Sequence, residues 1–200
     1  DRRQRQMCIR DSYYISMRII SGKNRGLKLT EIGMGDLSNH LRPTTDRVKE
    51  SLFNLLANGA PTLSFENIRV LDLFSGSGAL GLEALSRGAS WVTFFEKNKT
   101  SLELLKKNIS ICRANGSTEV KQRDATKIGR NTGQKFDLIF LDPPYGSELG
   151  EKALLNALKE GWLSENAIIV FEHDKKILLK DFTLLDFRKY GKTFVNVFKA

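Results

Sequence analysis

The sequence predicts an α/β fold, with helices on both faces of a mostly parallel seven-stranded sheet and a small basic β-hairpin in front of it. Three observations carry this. From Arg69 onward, short apolar runs alternate with longer amphipathic ones, the rhythm of strand–helix–strand units. Between the first such strand and the first such helix lies a glycine-rich turn, Ser75-Gly-Ser-Gly-Ala-Leu-Gly81. Asp137 to Leu141 is apolar enough to be a strand buried on both faces, as in the centre of a parallel sheet.

The 200 residues, 40% of them hydrophobic, suffice for one globular domain with a sizeable core, which excludes a disordered or fibrous chain. No apolar run approaches the roughly 18 residues of a membrane span, and the first residues lack an apolar signal core. A cytoplasmic protein without a membrane partner is therefore expected; a monomer is expected as well. Cys8 and Cys112 cannot form a disulfide framework, and His40 and His173 lie far apart, so no metal site is expected. The net charge of +9 favours a polyanionic partner.

Residues 1–16 are rich in Arg and Gln without a periodic apolar face, and they are expected to be a disordered or non-native leader, with the natural start at Met17. Residues 17–57 form an amino-terminal unit. In it, Arg18, Lys23, Arg25 and Lys28 cluster around Gly22 and Gly26 with no acid before Glu31, the pattern of a basic hairpin able to grip phosphates or simply to lie solvated on the surface. A glycine-containing loop spans Ile32 to His40. Pro43, Thr44 or Thr45 as N-cap, and Asp46 then open a helix whose apolar face is Val48, Leu52, Leu55 and Leu56. Arg42 and Arg47 stand at its entrance, where free N–H groups and cations favour an anionic ligand.

Residues 58–200 form the main domain, beginning with a linker from Asn58 to Asn67. Arg69 to Phe74 is the first strand, and Gly76, Gly78 and Gly81 fit the G-x-G-x-x-G turn ahead of a helix that reaches Arg87. Trp91 to Glu96 is the second strand. Its terminal acid, Glu96, stands where a carboxylate accepts from the two ribose hydroxyls of a nucleoside cofactor. Asn98 caps the next helix, through Leu102, Leu105 and Ile109, and Glu119 to Arg123 is the third strand. Asp124 follows, either accepting from an adenine amine or capping the next turn.

The fourth strand ends in Asp142-Pro-Pro-Tyr145. Two prolines that donate no N–H make a stiff loop rich in acceptors at the strand's carboxyl end. The Asp142 carboxylate and the Pro143 carbonyl can each accept from an exocyclic NH2 group while Tyr145 stacks on its ring. Drawing the hydrogens towards tetrahedral geometry returns the lone pair to nitrogen and makes the amine a nucleophile. A buried strand with a proline-rich exit turn is the plain alternative. A helix around Leu154 to Leu158, a strand from Ala167 to Phe171, and a closing antiparallel pair, Phe182 to Phe187 with Thr193 to Phe198, complete the chain. The pair turns at Tyr190-Gly-Lys192. Asp72, ending the first strand, repels a pyrophosphate and suits a cofactor with a positively charged amino acid portion.

Asp72-Leu-Phe-Ser-Gly-Ser-Gly-Ala-Leu-Gly81 together with Asp142-Pro-Pro-Tyr145 resembles a Rossmann-like class I S-adenosylmethionine-dependent methyltransferase acting on an exocyclic amine. Arg18-Ile-Ile-Ser-Gly22, Arg25-Gly26 and Arg42-Pro-Thr-Thr-Asp-Arg47 narrow the resemblance to the RsmD family, bacterial 16S ribosomal RNA guanine-N2 methyltransferases. It covers Met17 to about Lys199. The resemblance implies that Asp72 with Ser75, Gly76 and Gly78 holds the methionine part of S-adenosylmethionine, Glu96 the ribose, and Asp124 with Ala125 the adenine. Asp142, Pro143 and Tyr145 would present the guanine, and Arg18, Lys23, Arg25, Lys28, Arg42 and Arg47 would meet 16S ribosomal RNA or a small-subunit particle. The alternatives are an amino methyltransferase of DNA or of another RNA acting on adenine N6, and a non-catalytic RNA-binding assembly protein.

Overall fold

Successive residues of a strand face opposite sides of its sheet, so an uninterrupted apolar strand has to be covered twice. A computed structural model of the chain describes residues 17–30, 46–59, 62–144, 148–191 and 193–200. In β4 (Phe136–Leu141), Leu138 and Phe140 enter one buried cluster while Ile139 and Leu141 enter another. Ile168 and Val170 of β5 (Leu163–His173) part from Ile169 and Phe171 in the same way.

The remaining strands are β1 (Arg69–Asp72), β2 (Trp91–Phe95), β3 (Thr118–Lys121), β6 (Thr183–Tyr190) and β7 (Thr193–Lys199). All seven make one sheet in the order β3-β2-β1-β4-β5-β7-β6. Its first five members are parallel, and β7 enters antiparallel to both β5 and β6. The helices α1 (Asp46–Asn58), α2 (Ala79–Ser86) and α3 (Lys99–Ile111) contribute to the first cluster, and α4 (Leu149–Lys159) to the second. Each face of the sheet is thus covered.

The chain leaves β1 outward to β2 and β3, then returns to β4 on β1's other side. Between the carboxyl ends of β1 and β4 this reversal opens the crevice where open α/β sheets bind ligands. No helix among the described residues is long and apolar enough to cross a membrane.

Residues 17–30 double back on themselves. The Ile19 N–H donates to the Leu27 carbonyl (2.9 Å), the Leu29 N–H to that of Met17 (2.8 Å), and Arg18 bridges Lys28 antiparallel. Gly22, at φ 80°, lies so close to α2 that a Cβ there would fall 1.8 Å from the Ser86 oxygen. Met17, Ile19 and Leu29 share the first cluster with α1, α2 and the sheet.

Two expectations are corrected. Lys49 and Phe53 join Leu52 and Leu56 as the buried residues of α1, whereas Val48 and Leu55 are only half-buried, because a buried carboxylate draws Lys49 inward. The fifth strand begins at Leu163 and not Ala167. Its polar Ser164-Glu165-Asn166 start hides it from pattern reading, and there the pairing with β4 slips register and Asn166 turns through φ 63°. Residues 1–16, the Ile32 to His40 loop, Arg42, Pro43, Thr44, Thr45, Tyr145 and Lys192 lie outside the described residues.

Candidate active site

At the carboxyl end of β1 the chain turns sharply over β2. The Ser75 backbone N–H and hydroxyl both donate to the Phe95 carbonyl (3.1 and 3.2 Å), and the Gly78 N–H returns to the Ser75 oxygen (2.7 Å). Gly78, at φ 81°, leads into α2, and a Cβ on it would stand 2.4 Å from Leu105 Cδ1 of α3. Packing as well as backbone angle therefore demands glycine at this position.

Glu96 ties the loop down. Its Oε2 accepts from the Gly76 N–H (2.9 Å) and its Oε1 from the Asn98 N–H (2.7 Å). Each oxygen keeps a further lone pair, so two adjacent hydroxyls can still be received. Asp124 caps the short 3-10 turn Ala125–Lys127, where its Oδ1 accepts from the Thr126 N–H (2.9 Å) and hydroxyl (2.8 Å). Those bonds, the backbone one first, hold its carboxyl below the usual range. The capping alternative is thus observed, while Oδ2 faces Lys97 at 3.7 Å and Ala125 is buried beside it.

The Leu73 N–H donates to the Phe140 carbonyl (3.1 Å), which brings the ends of β1 and β4 together. Asp142 is half-buried and Pro143 buried. The first turn of α4 clamps this loop, for a Cβ on Gly150 would fall 2.8 Å from Pro143 Cγ and 2.3 Å from Phe171 Cζ. Asp137, at the other end of β4, is a structural acid. It accepts from the Arg69 N–H and the Ser164 hydroxyl (both 2.9 Å).

Asp72 is the electrostatic centre of this edge. Burial first, and then the negative charges of Asp142 and Glu96, raise its carboxyl to about 8 against the opposing backbone N–H groups of Gly81 and Phe74. No ion pair of Asp72 occurs among the described residues. A buried acid beside two other acids fits a ligand that brings positive charge. Among the described residues no group of three or more His, Cys, Asp or Glu could hold a metal ion.

The cations expected to meet RNA stand differently from one another. All five of Arg18, Lys23, Arg25, Lys28 and Arg47 are exposed, but Arg18 pairs through Nε with Asp46 Oδ2 (2.9 Å). Beneath the hairpin lies a polar anchor that sequence reading missed. Glu83, fully buried in α2, accepts from the Ile20 N–H (2.8 Å), the Ser21 N–H (3.0 Å) and Arg87 Nε (2.8 Å), and stands 3.7 Å from the buried Lys49 ammonium. Lys49 donates in turn to the Arg18 carbonyl. Burial lowers the Lys49 pKa, against the opposing pull of Glu83. Asn108 is a second anchor, exchanging bonds with the Thr30 backbone (2.7 and 3.1 Å) and donating to the Ser77 carbonyl (2.9 Å). A lone carboxylate amid the apolar residues of α2 was the available signal.

The family model of conserved hypothetical protein 95 matches residues 17–199. The chain is similar to ribosomal RNA small subunit methyltransferase D of Haemophilus influenzae, at 40% identity over 88% of this chain and 89% of that protein. It is also similar to ribosomal RNA small subunit methyltransferase D of Escherichia coli, at 40% identity over 79% of this chain and 75% of that protein. Among solved structures it resembles yhhF from Escherichia coli with a TM-score of 0.76 and 34% identity, covering 92% of this chain and 97% of that one.

Proposed function

The chain belongs to the conserved hypothetical protein 95 family, the family of the ribosomal RNA small subunit methyltransferases D, and from that premise we propose that it methylates the exocyclic N2 amino group of a guanine in 16S ribosomal RNA. The substrate is the free RNA or a small-subunit particle, and S-adenosylmethionine is the methyl donor. The observation that carries the reading is the convergence of Asp72, Glu96 and the Asp142 loop on the crevice where the strand order reverses.

The cofactor supplies a methyl group on a sulfonium, next to an ammonium. The acidic edge suits both cations: Asp72 and the loop from Ser75 to Gly78 would hold the amino acid part, Glu96 the ribose hydroxyls, and Asp124 with Ala125 the adenine. Asp142 and the Pro143 carbonyl receive the two hydrogens of the guanine amine and fix its lone pair along the line of transfer. Tyr145 stacks on the base. After transfer the extra proton leaves N2 to the Asp142 carboxylate or to water.

The test supplies methyl-labelled S-adenosylmethionine and ribosomal RNA from cells lacking this protein, then maps the modified base. Label at guanine N2 of 16S RNA is expected. Label only in adenine, or only in DNA, would replace the reading, and no cofactor binding would make the protein a non-catalytic one.

Replacing Glu96 with alanine is expected to weaken S-adenosylmethionine binding by roughly 1–3 kcal/mol, the loss typical of hydrogen bonds to a charged acceptor. Calorimetry measures this, and unchanged affinity would move the ribose elsewhere.

Asp72 gives the site a pH dependence. Its folded pKa, about 8, stands above the ordinary 3.8, so its contribution to stability is complete below about 3.8 and is lost as pH rises through about 8. The cofactor-free protein should therefore melt lower at pH 8 than at pH 6. A cationic ligand favours the ionised acid, so binding should release a proton near neutral pH and tighten as pH approaches 8. Calorimetry in buffers of different ionisation enthalpy reads that proton. If Asp72→Asn leaves proton release and the pH trend of melting unchanged, another group titrates.

A further inference from the structure

We infer that the RNA-binding surface is composite, formed by the hairpin together with the exposed face of α3, where Lys106, Lys107 and Arg113 hold the phosphate backbone of a helical RNA segment beside the methylated base. This rests on the RNA methyltransferase reading above.

The outer face of α3 exposes Lys99, Glu103, Lys106, Lys107 and Ser110, with Arg113 just beyond its end. A solvated helix face ordinarily mixes both signs, and here one acid stands against four cations. The hairpin is fastened to this helix at two points. Its tip bonds through Asn24 Nδ2 to the Cys112 carbonyl (3.3 Å), adjacent to Arg113. Its outgoing arm bonds through Thr30 to Asn108, adjacent to Lys107. Lys23 also acts electrostatically on Cys112. Lys107 and Arg113 therefore each stand one residue from an anchor of the hairpin that carries Lys23, Arg25 and Lys28, with Lys106 next along the helix, and among the described residues none of the six forms an ion pair. Uncompensated cations in one patch attract a polyanion through counterion release.

Arg113 adds an independent observation. It follows the C-cap of α3 at φ 52°, and the Ala114 N–H reaches back to the Ile109 carbonyl (2.9 Å). Glycine is the residue this left-handed position favours, since a side chain strains the backbone there. An arginine standing in a glycine position, next to the Cys112 carbonyl that receives the hairpin tip, points to use of its charge. Asn108 bonds Thr30 and the Ser77 carbonyl of the glycine loop together, so RNA held on this surface is in fixed register with the loop at the cofactor crevice. Phosphate contacts of this kind position RNA without reading bases.

The experiment titrates affinity for 16S ribosomal RNA against salt and measures methyl transfer and thermal melting. It compares wild type, Lys106→Ala/Lys107→Ala, Arg113→Gly and the control Lys152→Ala/Lys159→Ala on α4. The α3 double variant should lower the salt slope by about one unit for each lysine that meets a phosphate. It should also raise KM for RNA severalfold with kcat and cofactor affinity retained, while the α4 control changes none of these. Arg113→Gly should melt higher than wild type and yet bind RNA more weakly, opposite signs that a purely structural arginine cannot give. Coincident slopes in the α3 double variant and wild type, an equal loss in the α4 control, or Arg113→Gly that binds RNA as wild type does would each overturn the proposal. A failure of the functional reading appears in wild type itself, as absence of RNA binding and methyl transfer, and takes this surface with it. A failure of the surface alone leaves wild type active and appears only among the variants.

Discussion

Asp142→Ala is expected to nearly abolish methyl transfer, by at least on the order of a hundredfold in kcat, while S-adenosylmethionine affinity stays within a few fold. The asymmetry follows from position. Asp142 closes β4, and its loop is held by buried Pro143 against the first turn of α4, so its carboxylate sits at a fixed point of the crevice. Its proposed partner is the amine of the incoming base, which is a nucleophile only while its hydrogens are held out of the ring plane. Without that acceptor the base can still dock, but its lone pair stays in the ring. The cofactor contacts proposed for Glu96 and the glycine loop are untouched. Asp142→Asn, which keeps one acceptor oxygen, should retain more turnover than the alanine variant. Single-turnover methyl transfer and cofactor calorimetry on the same preparations decide the matter, and a fully active alanine variant would remove this mechanism.

Glu83→Ala should be the most destabilising single change, costing about 3–5 kcal/mol, the range for breaking a buried pair from one side. Lys49 would be left fully buried without its carboxylate, and the Ile20 and Ser21 N–H groups would lose their acceptor. In a chain of this size such a loss lowers the melting temperature by about 10 °C or more. Adding Lys49→Met should restore part of it, since the orphaned charge is then gone, and the double-mutant cycle measures the coupling. The single variant should also expose the hairpin to proteolysis before the sheet. A melting temperature within two or so degrees of wild type would mean that the buried network does not hold the hairpin.

The strands and the glycine turn were legible because their signals are local. Short, mostly apolar runs specify β1, β2 and β4 within a residue or two, and Asn98 caps α3 with its side chain on the Ser101 N–H as its position predicted. Where a local signal served two ends the sequence left the matter open, as at Asp124, whose carboxylate caps the turn at Ala125 while facing Lys97. Where it was polar the reading failed, as at the Ser164-Glu165-Asn166 start of β5. The apolar face assigned to α1 erred because a lysine reads as a surface residue unless its partner is known.

The sequence by itself determined the parallel α/β class, the glycine turn, the acid at the end of each of the first strands and the proline-stiffened loop after the fourth, since period, backbone restriction and turn chemistry act over a few neighbouring residues. Only the tertiary structure decided that Lys49 and Glu83 meet in the core, that Asn108 joins the hairpin to the glycine loop, that the hairpin tip bonds to the end of α3, and that Asp72 holds its proton up to about pH 8. A charge buried in low dielectric depends on every group the fold brings within a few ångströms of it, and those groups come from segments far apart along the chain.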